Sequence, residues 1–367
     1  MEYYRTMRRR IALIIGIASG ALVIVQAQPA PPRATSGLTA VDGLRVGHHT
    51  LAERPTGCTV ILVDGDAVGG VAQTGGAPGT RETDLLHPLN MVDKVNAVVL
   101  SGGSAFGLDA ATGVVRWLDE HNIGWPTAGG KVPTVPAAIL FDLAVGGNPR
   151  VRPTADCGYK AADAASPGPV QEGSVGAGAG ATVGKLGGMA EHDGYPAGSR
   201  KPMKAGIGSA SITLPNGLVV AALVAVNAVG DIVDPATGRI VAGVLNADGT
   251  LADARKILRS GQTIRRPSAA ENTTIGLVAT NAKLTKDQAN RMALMANDGY
   301  ARAIVPSHTL GDGDTVFALA TGRWQGDADV TTIGALAAET MADAILRAAT
   351  QATSAAGITA ARDLKKP

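Results

Sequence analysis

Aromatic residues and cysteines are scarce in this chain of 367 residues: phenylalanine, tyrosine and tryptophan make up 3% of it, and it has two cysteines, Cys58 and Cys157. Two cysteines are too few for a structural zinc site built on cysteine ligands. An oxidising compartment would permit a disulfide, but the sequence alone does not pair the two residues. Nothing in the sequence around Cys58 favours a reactive cysteine nucleophile.

An excess of one charge is also missing, because 33 lysines and arginines face 31 aspartates and glutamates and leave a net charge of +2. No basic stripe with interleaved aromatic residues is present, which argues against a nucleic-acid partner. The segment GGAPGTRET at residues 75–83 lacks the lysine that follows the last glycine of a phosphate-binding loop. Nucleic-acid and nucleotide binding are therefore not expected.

Glycine and small apolar residues are abundant instead, with 48 glycines and 45% hydrophobic residues. Apolar runs recur along the whole chain, which indicates tight turns and close packing of small residues and not disorder. The length is sufficient to bury a large core as one domain or two.

A basic segment followed by an apolar one opens the chain. Residues 1–10 carry four arginines and one glutamate, residues 11–25 are mainly apolar, and Val25-Gln26-Ala27 fits a small-x-small cleavage pattern. This layout predicts a signal peptide over residues 1–27, since the apolar run is shorter than the roughly 20 residues of a membrane-spanning helix. A Pro-rich tether over residues 28–37 follows. We expect export to the periplasm or the medium and no membrane association after leader removal; an uncleaved anchor is the alternative.

The hydrophobic pattern predicts strands and helices in clusters. Predicted strands are residues 58–63, 96–100, 210–214, 218–227, 231–233, 273–281 and 315–321. Predicted helices are residues 106–121, residues 285–304 with Thr285 as the cap, and residues 331–349. Strands that cluster and helices that follow in pairs favour an α+β layered fold over a regular βαβ alternation.

A sharp change in the chain lies at Asn272–Thr273, where a polar segment ends and an apolar strand begins. If this peptide bond is cut, Thr273 gains a free α-amine beside its own hydroxyl. An N-terminal amine can activate a threonine hydroxyl as a nucleophile, and its usual pKa of about 7.7–8.0 suits a general base near neutral pH. Taken alone the pair is a weak signal, because a plain loop-to-strand junction or a glycosylation acceptor has the same residues.

Three further features supply groups that such a nucleophile needs. Asp312 and Asp314 stand beside glycines just before a strand, where carboxylates can hold an ammonium or a lysine. Lys185 lies in a Gly/Ala-rich stretch and could lower the pKa of a nearby amine by like charge. Asn227, at the end of a strand, could donate its amide N–H to a developing oxyanion. Each also has a plain structural explanation as a turn, a solvated lysine or a strand end.

Six segments together carry a family resemblance: GGAPGTRETDLL at 75–86, SGGSAFGLDAATGV at 101–114, GAGAGATVGK at 176–185, VNAVGDIVD at 226–234, ENTTIGLVATNAKL at 271–284 and HTLGDGDTVFALAT at 308–321. They span nearly all of the chain after the leader in a fixed order. The chain resembles the self-processing hydrolases that include the L-aminopeptidase/D-amino-acid esterases, the β-peptidyl aminopeptidases and the nylon-oligomer (6-aminohexanoate-oligomer) hydrolases.

The resemblance implies a four-layer αββα sandwich of the N-terminal-nucleophile type. It further implies one hydrolase domain that is cut between Asn272 and Thr273 into an α part, residues 38–272, and a β part, residues 273–367. The partners it implies are a small peptide or oligoamide substrate and further copies of the chain, in a homo-oligomer such as a tetramer. It implies neither a cofactor nor a metal.

Residue roles carry over only where the motifs match. Thr273 is then the nucleophile of both self-cleavage and turnover. Asp312 and Asp314 match the acidic pair that positions its amine and hydroxyl. Lys185 matches a lysine of that network, and Asn227 matches the oxyanion donor.

Two motifs favour the nylon-oligomer branch, namely Asn-Thr-Thr at 272–274 and Asp-Gly-Asp at 312–314, since the aminopeptidase branch typically has a serine nucleophile. One departure concerns the substrate. Where nylon-oligomer hydrolases carry a tyrosine near the site, this chain has Phe141, a candidate substrate-binding residue. Because phenylalanine has no hydroxyl, a hydrogen bond to the substrate cannot form there.

Three alternatives stay open. Ser104 lies in a strand–turn–helix segment that resembles a nucleophile elbow, although Gly107 stands one residue too late for G-x-S-x-G. An acyltransferase on the same fold would share the acyl-enzyme and differ in its amine acceptor, but no segment resembles the cleavage motif of that branch. An exported binding protein without enzymatic activity would remain uncut.

Overall fold

We describe the protein from a computed structural model, which covers residues 37–187, 200–261 and 272–364. The predicted signal peptide at residues 1–27 lies outside the described residues, as does the tether up to residue 36. Residues 262–271, just before the proposed cleavage point, also lie outside them. Within the described part of the chain, no helix is long and apolar enough to cross a membrane.

Strands form most of the ordered structure. They are β1 (Leu44–Thr50), β2 (Gly57–Gln73), β3 (Thr80–Arg81), β4 (Lys94–Ser101), β5 (Trp125–Thr127), β6 (Gly130–Val132), β7 (Ala137–Ile139), β8 (Thr182–Val183), β9 (Met203–Lys204), β10 (Ile207–Thr213), β11 (Val219–Asn227), β12 (Asp231–Val233), β13 (Ile240–Ala242), β14 (Thr273–Thr280), β15 (Ile304–Val305) and β16 (Thr315–Ala320). The α-helices are α1 (Ala110–Glu120), α2 (Ala155–Asp163), α3 (Ala254–Arg259), α4 (Lys286–Ala303) and α5 (Val330–Gln351).

The long strand β2 joins two parts of one hydrogen-bonded ladder. The ladder runs β10-β11-β14-β16-β2-β4-β7-β3, and β1 also pairs with β2. Residues 68–73 of β2 pair with β16, whereas residues 57–63 pair with β1. The register of β2 against β4 shifts between Leu62 and Ala67. Such an irregularity lets a strand bend, so the two halves of β2 can belong to two layers.

Three apolar clusters define how the layers stack. Leu277 of β14 packs on one face of its strand in a cluster that also holds Ile61 of β2, between the two parts of the ladder. Val278 points to the opposite face and packs with Met292 of α4 and Ile345 of α5. A third cluster joins β2 and β4 to α1 and α2. The order of layers is helix, sheet, sheet, helix, so the predicted four-layer αββα sandwich is confirmed.

Most predicted elements are present with small changes at their ends, including α4 with its predicted cap. The Thr285 hydroxyl accepts the Gln288 N–H, and the Gln288 side chain accepts the Thr285 N–H at 2.9 Å, which is a capping box. Helix α5 begins after Asp329, whose carboxylate accepts the N–H groups of Thr331 and Thr332 at 3.1 and 3.0 Å. Both helices therefore start where local side chains satisfy their first N–H groups.

The helix predicted over residues 106–121 is wrong at its N-terminal end. A 3-10 turn over Ser104–Asp109 precedes α1, and Ser104 has a positive φ of 55°. A Cβ at Gly107 would lie 1.8 Å from the Gly102 carbonyl oxygen. The chain therefore turns sharply after β4 and becomes a regular helix only from Ala110.

Helix α2 is absent from the sequence prediction because its buried face consists of small residues and not of a large apolar stripe. It packs closely on α1, where a Cβ at Gly113 would lie 1.7 Å from the Ala155 carbonyl oxygen. Cys157 of α2 forms a disulfide with Cys58 of β2. This bond links an outer helix layer to its sheet, a pairing that the sequence left open.

Candidate active site

Thr273 is the first residue of β14 and lies in the middle of the sheet, between β11 and β16. Its side chain is buried, with 2% exposed. The antiparallel register places Thr273 directly opposite Asn227, the last residue of β11. Directly opposed residues of antiparallel strands project from the same face of the sheet. The candidate nucleophile and the candidate oxyanion donor are therefore neighbours.

The Asn272 carbonyl, which precedes Thr273, accepts two hydrogen bonds. The Gly313 N–H donates to it at 2.9 Å, and the Thr273 hydroxyl donates to the same oxygen. Position 313 has no room for a side chain, because a Cβ there would lie 2.9 Å from Thr273 Oγ1 and 2.7 Å from the Ala77 carbonyl oxygen. Glycine at this position lets the Asp-Gly-Asp loop bring its backbone to the peptide bond before Thr273.

The two predicted aspartates are buried on either side of Gly313. Asp314 Oδ1 accepts the Thr274 N–H at 2.8 Å and so holds the strand next to Thr273. Asp312 Oδ2 accepts the N–H and the hydroxyl of Thr309 at 2.9 and 2.5 Å. Burial, together with the charge of Asp314, raises the pKa of Asp312 to about 6. A carboxyl group with this pKa changes its charge close to neutral pH.

His308 completes the acidic side of the site, and sequence analysis assigns it no role. Its Nδ1 lies 2.9 Å from Asp314 Oδ2, and its backbone N–H donates to the same oxygen at 3.0 Å. Thr74 Oγ1 also lies 2.9 Å from Nδ1. Burial lowers the pKa of His308, but the hydrogen bond and charge of Asp314 outweigh it and the net shift is upward. Asp314 is therefore held by His308 through one oxygen and by Thr274 through the other.

Lys185 and Thr182 orient the Asn227 side chain. Lys185 Nζ donates to Asn227 Oδ1 at 2.7 Å and to its backbone carbonyl at 3.0 Å. The Thr182 N–H donates to the same Oδ1 at 3.1 Å. The charge of Lys185 also opposes the rise in the pKa of Asp312, so the ammonium is within electrostatic reach of the acidic pair. Lys185 thus binds Asn227 directly and also acts on Asp312 through its charge.

Phe141 lies at the edge of this network through its backbone. Its carbonyl accepts the Asn227 Nδ2–H at 2.8 Å, and its side chain is half-buried. A contact between Phe141 and substrate stays a prediction. Ser104 donates its N–H to the Leu140 carbonyl at 3.0 Å. Within the described ranges no side chain is hydrogen-bonded to the Ser104 hydroxyl, so no general base is placed on it there.

The structure therefore gathers six residues that the sequence singled out: Asn272, Thr273, Asn227, Lys185, Asp312 and Asp314. It adds His308, Thr182 and the N–H of Gly313. The only sequence signal for His308 and Gly313 is their place in HTLGDGD, and Thr182 lies in the Gly/Ala-rich stretch. Among the residues that the structure describes, no group of three or more His, Cys, Asp or Glu side chains could hold a metal ion.

Comparisons with known proteins assign the chain to a family. The model of peptidase family S58 matches residues 36–190 and 197–362. An uncharacterised aminopeptidase of Mycobacterium leprae is 43% identical over 352 residues, which cover 88% of this chain and 92% of the relative. A 6-aminohexanoate-oligomer endohydrolase of a Kocuria species is 31% identical over 324 residues, which cover 84% of each chain.

Two solved structures share the fold. A β-aminopeptidase of a Burkholderia species superposes with a TM-score of 0.64 at 21% identity and covers 93% of this chain and 97% of its own. The L-aminopeptidase D-Ala-esterase/amidase of Ochrobactrum anthropi, described as a variant of the Ntn hydrolase fold, has a TM-score of 0.64 at 20% identity, with 87% of each chain covered. On the strength of the family match and the identities above, this chain belongs to peptidase family S58 and is an amide-bond hydrolase of the aminopeptidase type.

Proposed function

We propose that the chain cuts its own Asn272–Thr273 bond and then uses the freed Thr273 as an N-terminal nucleophile. The observation that carries this proposal is the geometry of one carbonyl. The Asn272 carbonyl accepts the Gly313 N–H at 2.9 Å while the Thr273 hydroxyl touches the same oxygen. A nucleophile and an oxyanion donor on one peptide carbonyl are what an acyl shift requires.

Self-cleavage then follows in two steps. Thr273 Oγ bonds to the Asn272 carbonyl carbon, its proton passes to the Thr273 nitrogen, and the C–N bond breaks to leave an ester and a free amine. The Gly313 N–H stabilises the negative oxygen of the tetrahedral intermediate. Water then hydrolyses the ester, which leaves a carboxylate on Asn272 and returns the hydroxyl to Thr273.

Turnover repeats this chemistry on a substrate amide. The Thr273 α-amine takes the proton from Oγ as it attacks and later gives it to the leaving amine. Asn227 donates to the oxyanion from the neighbouring strand, while Lys185 and the two aspartates hold the charges around the amine. Water releases the acyl group and restores the enzyme. No cofactor takes part in this cycle.

The substrates that we propose are short peptides or oligoamides, and the Asn-Thr-Thr and Asp-Gly-Asp motifs favour the oligoamide side. The relative named a 6-aminohexanoate-oligomer endohydrolase makes 6-aminohexanoate oligomers a direct first assay, beside aminoacyl amides. We further propose that the mature protein is exported, is free of nucleic acid and membrane, and assembles into homo-oligomers such as tetramers.

The decisive experiment is intact mass and N-terminal sequencing of the purified wild type beside Thr273→Ala, Thr273→Ser and Ser104→Ala. We expect wild type and Ser104→Ala to give two pieces, the smaller beginning TTIGLVATN, and to hydrolyse amides. Thr273→Ala should stay one inactive chain, whereas Thr273→Ser, which retains a hydroxyl, should still be cut. Full activity of an uncut wild-type chain, or of Thr273→Ala, would contradict the mechanism.

A further inference from the structure

Lys204 is a buried lysine that the mechanism proposed above does not use. It is the second residue of β9 and is 0% exposed. Its Nζ donates to the carbonyls of Gly178 and Ala181 at 3.1 Å each and to the carbonyl of Ala205 at 2.5 Å. Three backbone carbonyls thus use the three N–H groups of one lysine.

Two of the three carbonyls that bind Lys204, a group we call the lysine cage, belong to a segment with little conformational preference of its own. Gly178 and Ala181 lie in the Gly/Ala-rich segment at 176–185. Because glycine gives the backbone more freedom than other residues, such a segment needs contacts from outside to keep one conformation. Lys204 supplies contacts of this kind from the neighbouring strand, since β9 pairs with β8 and Lys204 lies opposite Thr182.

The same segment leads directly to the active site. Thr182 follows the caged Ala181, and its N–H donates to Asn227 Oδ1 at 3.1 Å. Lys185, at the end of the segment, donates to the same oxygen at 2.7 Å. The Gly206 carbonyl, two residues beyond Lys204, accepts the Val226 N–H at 3.0 Å. The lysine cage and the Asn227 amide are therefore joined by short, continuous lengths of backbone.

A lysine is a costly side chain to bury at this position. Burial lowers the pKa of Lys204 to about 7, and the charge of Asp142 acts in the opposite direction. Placing an ammonium in a closed interior costs free energy that an apolar side chain of the same length would not cost. Buried groups with shifted pKa values cluster at functional sites.

We propose that Lys204 is a positioning residue for the oxyanion donor. Its Nζ fixes the backbone of residues 178–181, so that Thr182 and Lys185 hold Asn227 Oδ1 and direct toward the reacting carbonyl the amide N–H that does not donate to Phe141. The proposal rests on the oxyanion role of Asn227 proposed above and extends it to a residue that touches neither substrate nor nucleophile.

Lys204→Met tests it, with Lys286→Met as the matched control. Lys286 Nζ also donates to three carbonyls, those of Leu85, Asn90 and Val92, at 2.7, 2.7 and 2.8 Å, but this cage lies at the start of α4. In processed enzyme we expect Lys204→Met to lower kcat about 10- to 100-fold with little change in KM, because the donor is misplaced and not removed. Lys286→Met should keep the wild-type kcat.

Lys204→Gln retains two N–H donors and should recover part of the kcat that Lys204→Met loses. If Lys204→Met does not fold, Lys204→Gln is tested in its place.

A double-mutant cycle separates positioning from a general loss of structure. If Lys204 acts through Asn227, then Asn227→Ala/Lys204→Met should turn over no more slowly than Asn227→Ala alone. Losses that multiply, or an unchanged kcat in Lys204→Met, would overturn the proposal while leaving Asn227 as the donor. Full activity in Asn227→Ala would instead overturn the role of Asn227 as the oxyanion donor. Processing of Asn227→Ala into two pieces would show that Thr273 still acts as a nucleophile in that variant.

Discussion

Gly313 and Gly311 stand two residues apart in the same loop, yet a methyl group would meet very different surroundings at each. At Gly313 the new Cβ would press on Thr273 Oγ1 at 2.9 Å, whereas nothing lies within 4 Å of it at Gly311. We expect Gly313→Ala to slow self-cleavage roughly 10- to 100-fold by displacing the hydroxyl, and Gly311→Ala to leave it unchanged. The ratio of cut to uncut chain over time measures both. Equal rates in the two variants would show that self-cleavage does not depend on the room that glycine leaves beside Thr273 Oγ1.

Asp312 gives the uncut chain a pH-dependent stability. Its pKa is raised from the usual 3.8 to about 6, so its favourable contribution is complete below pH 3.8 and is lost as the pH rises through 6. In the uncut Thr273→Ala background, Asp312→Asn should therefore gain relative stability between pH 4 and pH 8, by up to ~3 kcal/mol at 1.36 kcal/mol per pKa unit. Urea unfolding of the two chains measures it, and a difference that does not vary with pH would count against the raised pKa.

The sequence predicts site residues whose side chains stand in recognisable motifs. It does not predict the contacts that backbone groups make in the site. Asp312 and Asp314 can be predicted as site residues because acidic side chains beside glycines have a recognisable chemistry. The Gly313 N–H has no side-chain signature, and its hydrogen bond to the Asn272 carbonyl is visible only in the folded loop. His308 was missed for a related reason: its contact with Asp314 depends on the turn between them and not on their spacing alone.

At the scale of elements, the Cys58–Cys157 bond joins β2 to α2 across 99 residues of sequence. Such a bond fits the proposed export, because oxidising compartments preserve disulfides. We expect Cys58→Ala/Cys157→Ala to lower the free energy of unfolding by about 2–4 kcal/mol and to leave self-cleavage intact, since neither residue lies on β11, β14 or the Asp-Gly-Asp loop. Denaturant unfolding with and without reductant checks this. The double variant should not respond to reductant, and a reductant-insensitive wild type would argue against the bond in solution.

Helices that carry a capping motif can be predicted from the sequence, whereas a helix whose buried face consists of small residues cannot. Helix α4 follows its cap Thr285 and contains Gln288 three residues later, a spacing that favours a helix start without any tertiary contact. Helix α2 lacks such a signal and depends on close contact with α1, where Gly113 meets Ala155. The bend of β2 between its two layers likewise depends on the strands with which β2 pairs. An apolar run in the sequence does not indicate where the strand bends.

At the scale of the whole molecule, the proposed cut divides the chain but not the sheet. The smaller piece would supply β14 and β16, which pair with each other in the middle of the ladder. On one side β14 pairs over its whole length with β11 of the larger piece, and on the other side β16 pairs over its whole length with β2. Two strands of one piece are therefore enclosed by strands of the other.

Helices α4 and α5, which follow the cut, cover a shared apolar core with residues of β10 and β11, which precede it. Separation of the pieces would expose this core and break both strand pairings, which amounts to global unfolding. The disulfide does not contribute to the association, because Cys58 and Cys157 both precede Asn272. After the proposed cut, the two pieces would thus be held by non-covalent contacts alone.

We therefore expect the processed pieces to co-elute in size exclusion and to appear as one mass, or multiples of it, under native ionisation. They should separate only in denaturant, equally with and without reductant. The uncut Thr273→Ala chain is the control and should elute at the same volume, because cleavage leaves every pairing in place. If the smaller piece were lost from processed protein under native conditions, β14 could not be the enclosed strand on which the position of Thr273 depends.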